Sequence, residues 1–147
     1  MANYEGFVRT NYFRVKDEEQ FRELMSKVVG EYEEPEVWTR EGKNGETFFA
    51  FGCYGEICGL RTNPEDENYD EDYDESFDAF IDGLQNCVAE DDAIIIYESG
   101  HEKLRYLIGS ATIITSTQTK YCDIRTYALD NARKLLKNEN FDTVSDY

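Results

Sequence analysis

The sequence predicts a single α+β domain, with a mostly antiparallel sheet and helices on one face. Three observations predict it. Runs of β-branched and aromatic residues alternate with two amphipathic helical stretches in the order β-α-β-β-α-β. An Asn44-Gly45 pair stands between two such runs, and this pair is a hairpin signal that requires antiparallel neighbours. The chain has 147 residues and is 40% hydrophobic, with eleven Tyr and nine Phe, which is enough for one core; no compositional break suggests a second domain.

Each element has a local cause. Phe7 to Val15 (FVRTNYFRV) reads as the first strand. Asp17 then caps a helix, with Gln20 three residues on, and Phe21, Leu24, Met25 and Val28 recur at the helical period until Gly30 stops it. Val37 to Arg40 and Thr47 to Tyr54 are the hairpin strands. The second (TFFAFGCY) is almost wholly apolar and is expected to be central and covered on both faces, with Trp38 in the core. Gly52, Gly55 and Gly59 suggest a bulge or a close backbone approach. Residues 63–75 are an acidic loop with Pro64 near its start. Ser76 caps a second helix, whose apolar stripe is Phe77, Phe80, Ile81, Leu84 and Val88. Ala93 to Tyr97 (AIIIY) is a buried strand, Glu98 to Lys103 a turn, and Arg105 to Ser116 another strand, against which Lys120 to Ile124 pairs back. A third helix runs from about Thr126 to Lys137, with Arg133, Lys134 and Lys137 suiting its C-terminal dipole, and residues 138–147 are a tail. The first six elements match the ferredoxin-like βαββαβ pattern, extended by an extra strand or hairpin and a C-terminal helix.

Charge is the most informative feature. The net charge is −17, and no Lys or Arg occurs between Thr62 and Glu102. Fifteen of the 32 acids lie in that window, while the other seventeen face all fifteen bases, so the rest of the chain is nearly neutral. Like charges at this density repel and oppose compaction. Solubility asks for a net charge of only about 2 to 8 in a small domain. Salt adaptation would spread acids along the whole chain, whereas a surface that meets a basic partner concentrates them.

Motifs for chemistry are sparse. The glycines fit neither a dinucleotide fingerprint nor a phosphate loop. His101, the only histidine, sits in a polar stretch and is expected to be an exposed turn residue rather than a base. Cys53 and Cys58 have four residues between them, a poor zinc spacing, so Cys53, Cys58, Cys87 and Cys122 are expected to be reduced, buried thiols. Asp70, Asp72 and Asp74 have the spacing that opens a calcium loop. However, Glu75 stands where that loop needs Gly, and Ile81 where it needs a bidentate Glu. We therefore expect no metal, no cofactor and no enzyme activity. The first residues have neither the basic nor the apolar region of a signal peptide, and no apolar run approaches the roughly 18 residues of a membrane span. The expectation is a cytoplasmic protein that does not engage a membrane.

The candidate partner-binding surface is Glu65, Asp66, Glu67, Tyr69, Asp70, Glu71, Asp72, Tyr73, Asp74, Glu75, Asp78, Asp82, Glu90, Asp91 and Asp92. Tyrosines among acids add rigid contact area to charge. Such a surface repels nucleic acid directly but complements a protein that binds it. In the run NPEDENYDEDYDESFDAFIDG (63–83) and the later AEDD (89–92), the chain resembles the small acidic inhibitors of phages and mobile elements. These are DNA mimics of the antirestriction or anti-CRISPR type, ArdA among them. The resemblance lies in charge style and not in a shared motif. It implies an inhibitor that occupies the nucleic-acid site of a basic protein such as a restriction or CRISPR nuclease. The alternatives are an immunity protein against a basic nuclease toxin, or a structural or regulatory module whose acidic loop is incidental.

Overall fold

The computed structural model describes residues 5–61, 75–103 and 106–143. Their elements are β1 (Glu5–Thr10), α1 (Glu18–Ser26), β2 (Val28–Gly30), β3 (Glu36–Glu41), β4 (Thr47–Tyr54), β5 (Ile57–Arg61), β6 (Glu75–Ser76), α2 (Phe77–Cys87), β7 (Ile94–Glu102), β8 (Tyr106–Ile114), β9 (Thr119–Asp123) and α3 (Ile124–Leu136). The first two helices start where their caps predict. The Asp17 carboxylate accepts from the amides of Glu19 and Gln20 at 2.9 and 3.2 Å, and Ser76 Oγ accepts from Ala79 N at 3.2 Å.

The main sheet has the order β3-β4-β1-β7-β8-β9, with all neighbours antiparallel. β1 lies between β4 and β7, with β3 outside β4, which is the ferredoxin-like arrangement. β8 and β9 extend the sheet as a meander. β7 runs through the stretch expected to turn, pairing as far as Glu102 with Tyr106, so His101 is a strand residue and the turn begins at Lys103 (φ +52°). α3 begins at Ile124, two residues earlier than expected, because Asp123 caps it through the Thr126 amide at 2.8 Å.

A second, three-stranded sheet, β2-β5-β6, was not anticipated. α1 ends at Ser26, and Val28 pairs with Leu60 instead of completing the helix. Val28 and Val29 are β-branched and stiff, which favours an extended backbone once a partner strand is available. Glu75, expected in the acidic loop, pairs through its backbone with Arg61.

The core lies between the main sheet and α1 and α2. Phe13, Phe21, Phe49, Phe51 and Phe80 are fully buried there. Their rings meet mostly edge to face or tilted, with centroids 4.9 to 6.1 Å apart. The buried Thr10 hydroxyl is satisfied, accepting from Phe51 N at 3.0 Å and donating to Asn11 O at 2.9 Å.

The opposite face of the sheet carries, by register, Phe7, Arg9, Trp38, Tyr54, Tyr97, Ser99, Leu107 and Gly109. Trp38 is therefore not in the core. It is half-buried on this face, where Gly52 of the neighbouring strand leaves room for its ring, and the Arg9 guanidinium lies 5.1 Å from its centroid. β4 is covered on both sides as expected, with Phe49, Phe51 and Cys53 inward and Ala50 and Gly52 beside the indole. α3 starts on the same outer face, with Ile124 against Gly109, and none of its residues is buried. No helix among the described residues is long and apolar enough to cross a membrane.

Candidate functional site

The predicted acidic surface divides into parts that behave differently. Glu65, Asp66, Glu67, Tyr69, Asp70, Glu71, Asp72, Tyr73 and Asp74 lie outside the described residues. Asp78 and Asp82 are exposed on α2, and Glu90 is exposed in the turn that follows it. These three make no ion pair among the described residues. The stripe of Phe80, Leu84 and Cys87 turns inward on α2, which places the acids on its solvent side.

Asp91 and Asp92 belong instead to an internal latch. Asp92 accepts from Arg14 N and Ala93 N, each at 2.8 Å, and lies 3.4 Å from Arg14 Nε. Asp91 meets Arg14 Nη2 at 2.9 Å. Next to them the Asn11 side chain donates to Ala93 O and accepts from Ile95 N, extending strand pairing where β1 ends. The AEDD segment thus fastens the chain after β1 to the start of β7, and Arg14 offsets its charge.

Glu98 is also withdrawn from the outer potential. By register it shares the helix-covered face with Val8. Burial first, and then the nearby charge of Glu56, raises its pKa, while a hydrogen bond from Ser110 Oγ at 3.4 Å works the other way.

A second acidic group, outside the charge-dense window, gathers around the turn between β4 and β5. Glu31 accepts from Glu56 N at 3.1 Å, Glu33 accepts from Tyr54 N at 3.2 Å, and Glu31 N donates to Glu56 O at 2.8 Å. Tyr32 stands beside Gly55. A hydrogen bond to Glu31, and then that residue's charge, raises the Tyr32 pKa and keeps the hydroxyl protonated. On the outer face of the sheet, Phe7, Tyr32, Tyr54 and His101 wall a cleft of about 570 Å³ that Glu5 also lines. Glu5 Oε2 lies 3.7 Å from His101 Nε2. None of these residues was assigned to a binding site from the sequence. A signal was present, because Glu31-Tyr32-Glu33-Glu34 repeats the acid-and-tyrosine style of the later run, but Phe7, Gly55 and His101 join it only through folding.

The thiols split into two classes. Cys53 and Cys87 are buried, whereas Cys58 and Cys122 are exposed, which corrects the expectation that all four would be buried. Burial pushes Cys53 up to about 11 and raises Cys87 as well, so both stay protonated. No three His, Cys, Asp or Glu side chains among the described residues come together as a metal site. Compared with protein-family models, curated proteins and solved structures, the chain matches none.

Proposed function

We propose that this protein is a non-catalytic acidic domain that docks on a basic protein and occupies a site that protein uses for nucleic acid. The observation that carries this reading is the window of fifteen carboxylates without one Lys or Arg, whose described flank keeps Asp78, Asp82 and Glu90 exposed and without an ion pair among the described residues. Duplex DNA carries one charge per roughly 1.7 Å of axis, so a dense row of carboxylates competes for the same lysines and arginines. Complementary fields of this kind speed association and make it sensitive to salt. The latch lowers the effective number of outward charges, since Asp91 and Asp92 face Arg14 and Glu98 turns inward. Among the described residues the outward acids of the reading are then Asp78, Asp82 and Glu90.

The test is inhibition of a panel of restriction and CRISPR nucleases at about 50 and 200 mM salt, the range over which phosphate-like contacts weaken most visibly. The expected result is inhibition of at least one enzyme, weakening steeply with salt. Combined Asp70→Asn, Glu71→Gln, Asp72→Asn, Asp74→Asn and Glu75→Gln should abolish it without lowering the melting temperature. Unchanged nuclease activity across the panel would count against the proposal.

A further inference from the structure

The cleft on the outer face of the sheet has a chemistry that the charge run does not explain. We infer that it seats one arginine or lysine side chain of the basic partner, an inference that rests on the docking reading above. The base of the cleft is glycine. Gly6, Gly55 and Gly100 line it, and Gly55 N donates to Gly6 O at 2.7 Å. Gly55 has φ +79°, and a Cβ there would come within 2.6 Å of the Tyr32 ring, so the position keeps the floor open at the cost of excluding every other residue. Phe7, Tyr32 and Tyr54 form walls, and Phe7 and Tyr54 are register partners on neighbouring strands. Both are at least half exposed, at 50% and 71%.

Aromatic faces attract cations through the ring quadrupole, arginine most often. The chain shows this preference elsewhere. Arg9 lies 5.1 Å from the Trp38 centroid, and Arg40 lies 4.3 Å from that of Tyr12 and 5.9 Å from that of Phe48. By contrast, no Lys or Arg among the described residues lines the Phe7-Tyr32-Tyr54 cleft. The carboxylates around it are Glu5 at the wall, 3.7 Å from His101 Nε2, and Glu31 and Glu56 about Tyr32, and they oppose an anion. A neutral apolar group would use the rings alone. A guanidinium or ammonium group uses both the rings and the carboxylates.

The experiment measures anisotropy of a fluorescein-labelled octa-arginine peptide at several salt concentrations. It compares the wild type, a Phe7→Leu/Tyr54→Leu variant that keeps apolar area and removes two rings, and the five-fold loop variant described above. Tyr54→Leu alone is the second cleft variant, and thermal melts check that each protein is folded. The expected result is affinity about tenfold weaker for the double ring variant, with an unchanged salt slope because no charge is lost. Adding acetyl-arginine amide should also shift the ring resonances of Phe7 and Tyr54. If the ring variants bind as the wild type does while the loop variant weakens, the cleft assignment is wrong and the docking reading stands. If the ring variants weaken and the loop variant does not, the cleft stands and the charge-run reading falls. A wild type that binds no peptide at 50 mM salt overturns both.

Discussion

Replacing Asp92 by alanine should destabilise the fold strongly, although the residue belongs to the acidic segment that looks most like free surface in the sequence. Its carboxylate accepts two backbone amides at 2.8 Å, from Arg14 and Ala93, and its side chain is only 21% exposed. Hydrogen bonds to a charged group contribute about 1.5–3 kcal/mol each, and the low end applies where water has some access, giving about 3 kcal/mol for the pair. For a chain of this length each kcal/mol lowers the melting temperature by roughly 2–4 °C, so the expected drop is about 6–12 °C. Asp92→Asn keeps one acceptor oxygen and should lose about half as much. Asp91→Ala removes an ion pair whose carboxylate is 75% exposed and should cost less than about 1 kcal/mol. Urea unfolding followed by far-UV circular dichroism, with Glu90→Ala as the surface control, measures all four. The latch reasoning is refuted if Asp92→Ala unfolds within about 0.5 kcal/mol of the wild type, or if Asp91→Ala costs as much as Asp92→Ala, since the amides would then not be the source of the stability.

Glu98→Gln should stabilise the protein at pH 8, with the gain vanishing near pH 4. Burial raises the folded-state pKa of Glu98, so the folded protein holds this proton more tightly, and stability present at low pH is lost as pH rises through that value. General repulsion among the acids acts on both proteins, so the difference between their melting temperatures across pH is the readout, and parallel curves would contradict the assignment. Iodoacetamide followed by mass spectrometry should label Cys58 and Cys122 in the native protein and all four cysteines after unfolding. Modification of Cys53 or Cys87 before unfolding would show that the core opens more readily than its packing implies.

The features legible in the sequence were those with local causes. Asp17 and Ser76 announce their helices because a cap acts over three residues, and Asn44-Gly45 announces its hairpin because Gly45 takes φ +82°. β2, β5 and β6 were missed because, unlike the similarly short β9 that pairs with its chain neighbour β8, their pairing joins the distant residues 28–30, 57–61 and 75–76. Trp38 misled by its size: a large aromatic suggests a core, but Gly52 on the adjacent strand makes a shelf for it on the outer face. The candidate site divides in the same way. That acids concentrate between residues 62 and 102 is composition and needs no structure. Which of them bind backbone amides is tertiary information, because Asp92 and Asp82 look alike until Arg14 is brought beside one of them. The cleft was invisible for a stronger reason, since residues 5–7, 32, 54–55 and 99–101 each look ordinary alone.

The charge run and the cleft also differ in range, and within the docking reading range would give them separate kinetic roles. Screened by physiological salt, exposed charges still act over about 8 Å, far enough to orient a partner before contact. Rings act only on a cation already seated against them. Asp78 and Asp82 ride on the helix layer, whereas Phe7 and Tyr54 lie on the other face of the sheet, so these two described acids are not part of the cleft's patch. Within the docking reading, neutralising the acids should then slow association and flatten its salt dependence, whereas removing the rings should hasten dissociation and leave that dependence intact. Within the docking reading, a partner that engages both the cleft and the described acids on α2 must reach past the edge of the sheet. That requirement favours a protein with a projecting basic side chain over a flat cationic surface, and it follows from where the strands place Phe7 and Tyr54 rather than from how many acids the chain carries.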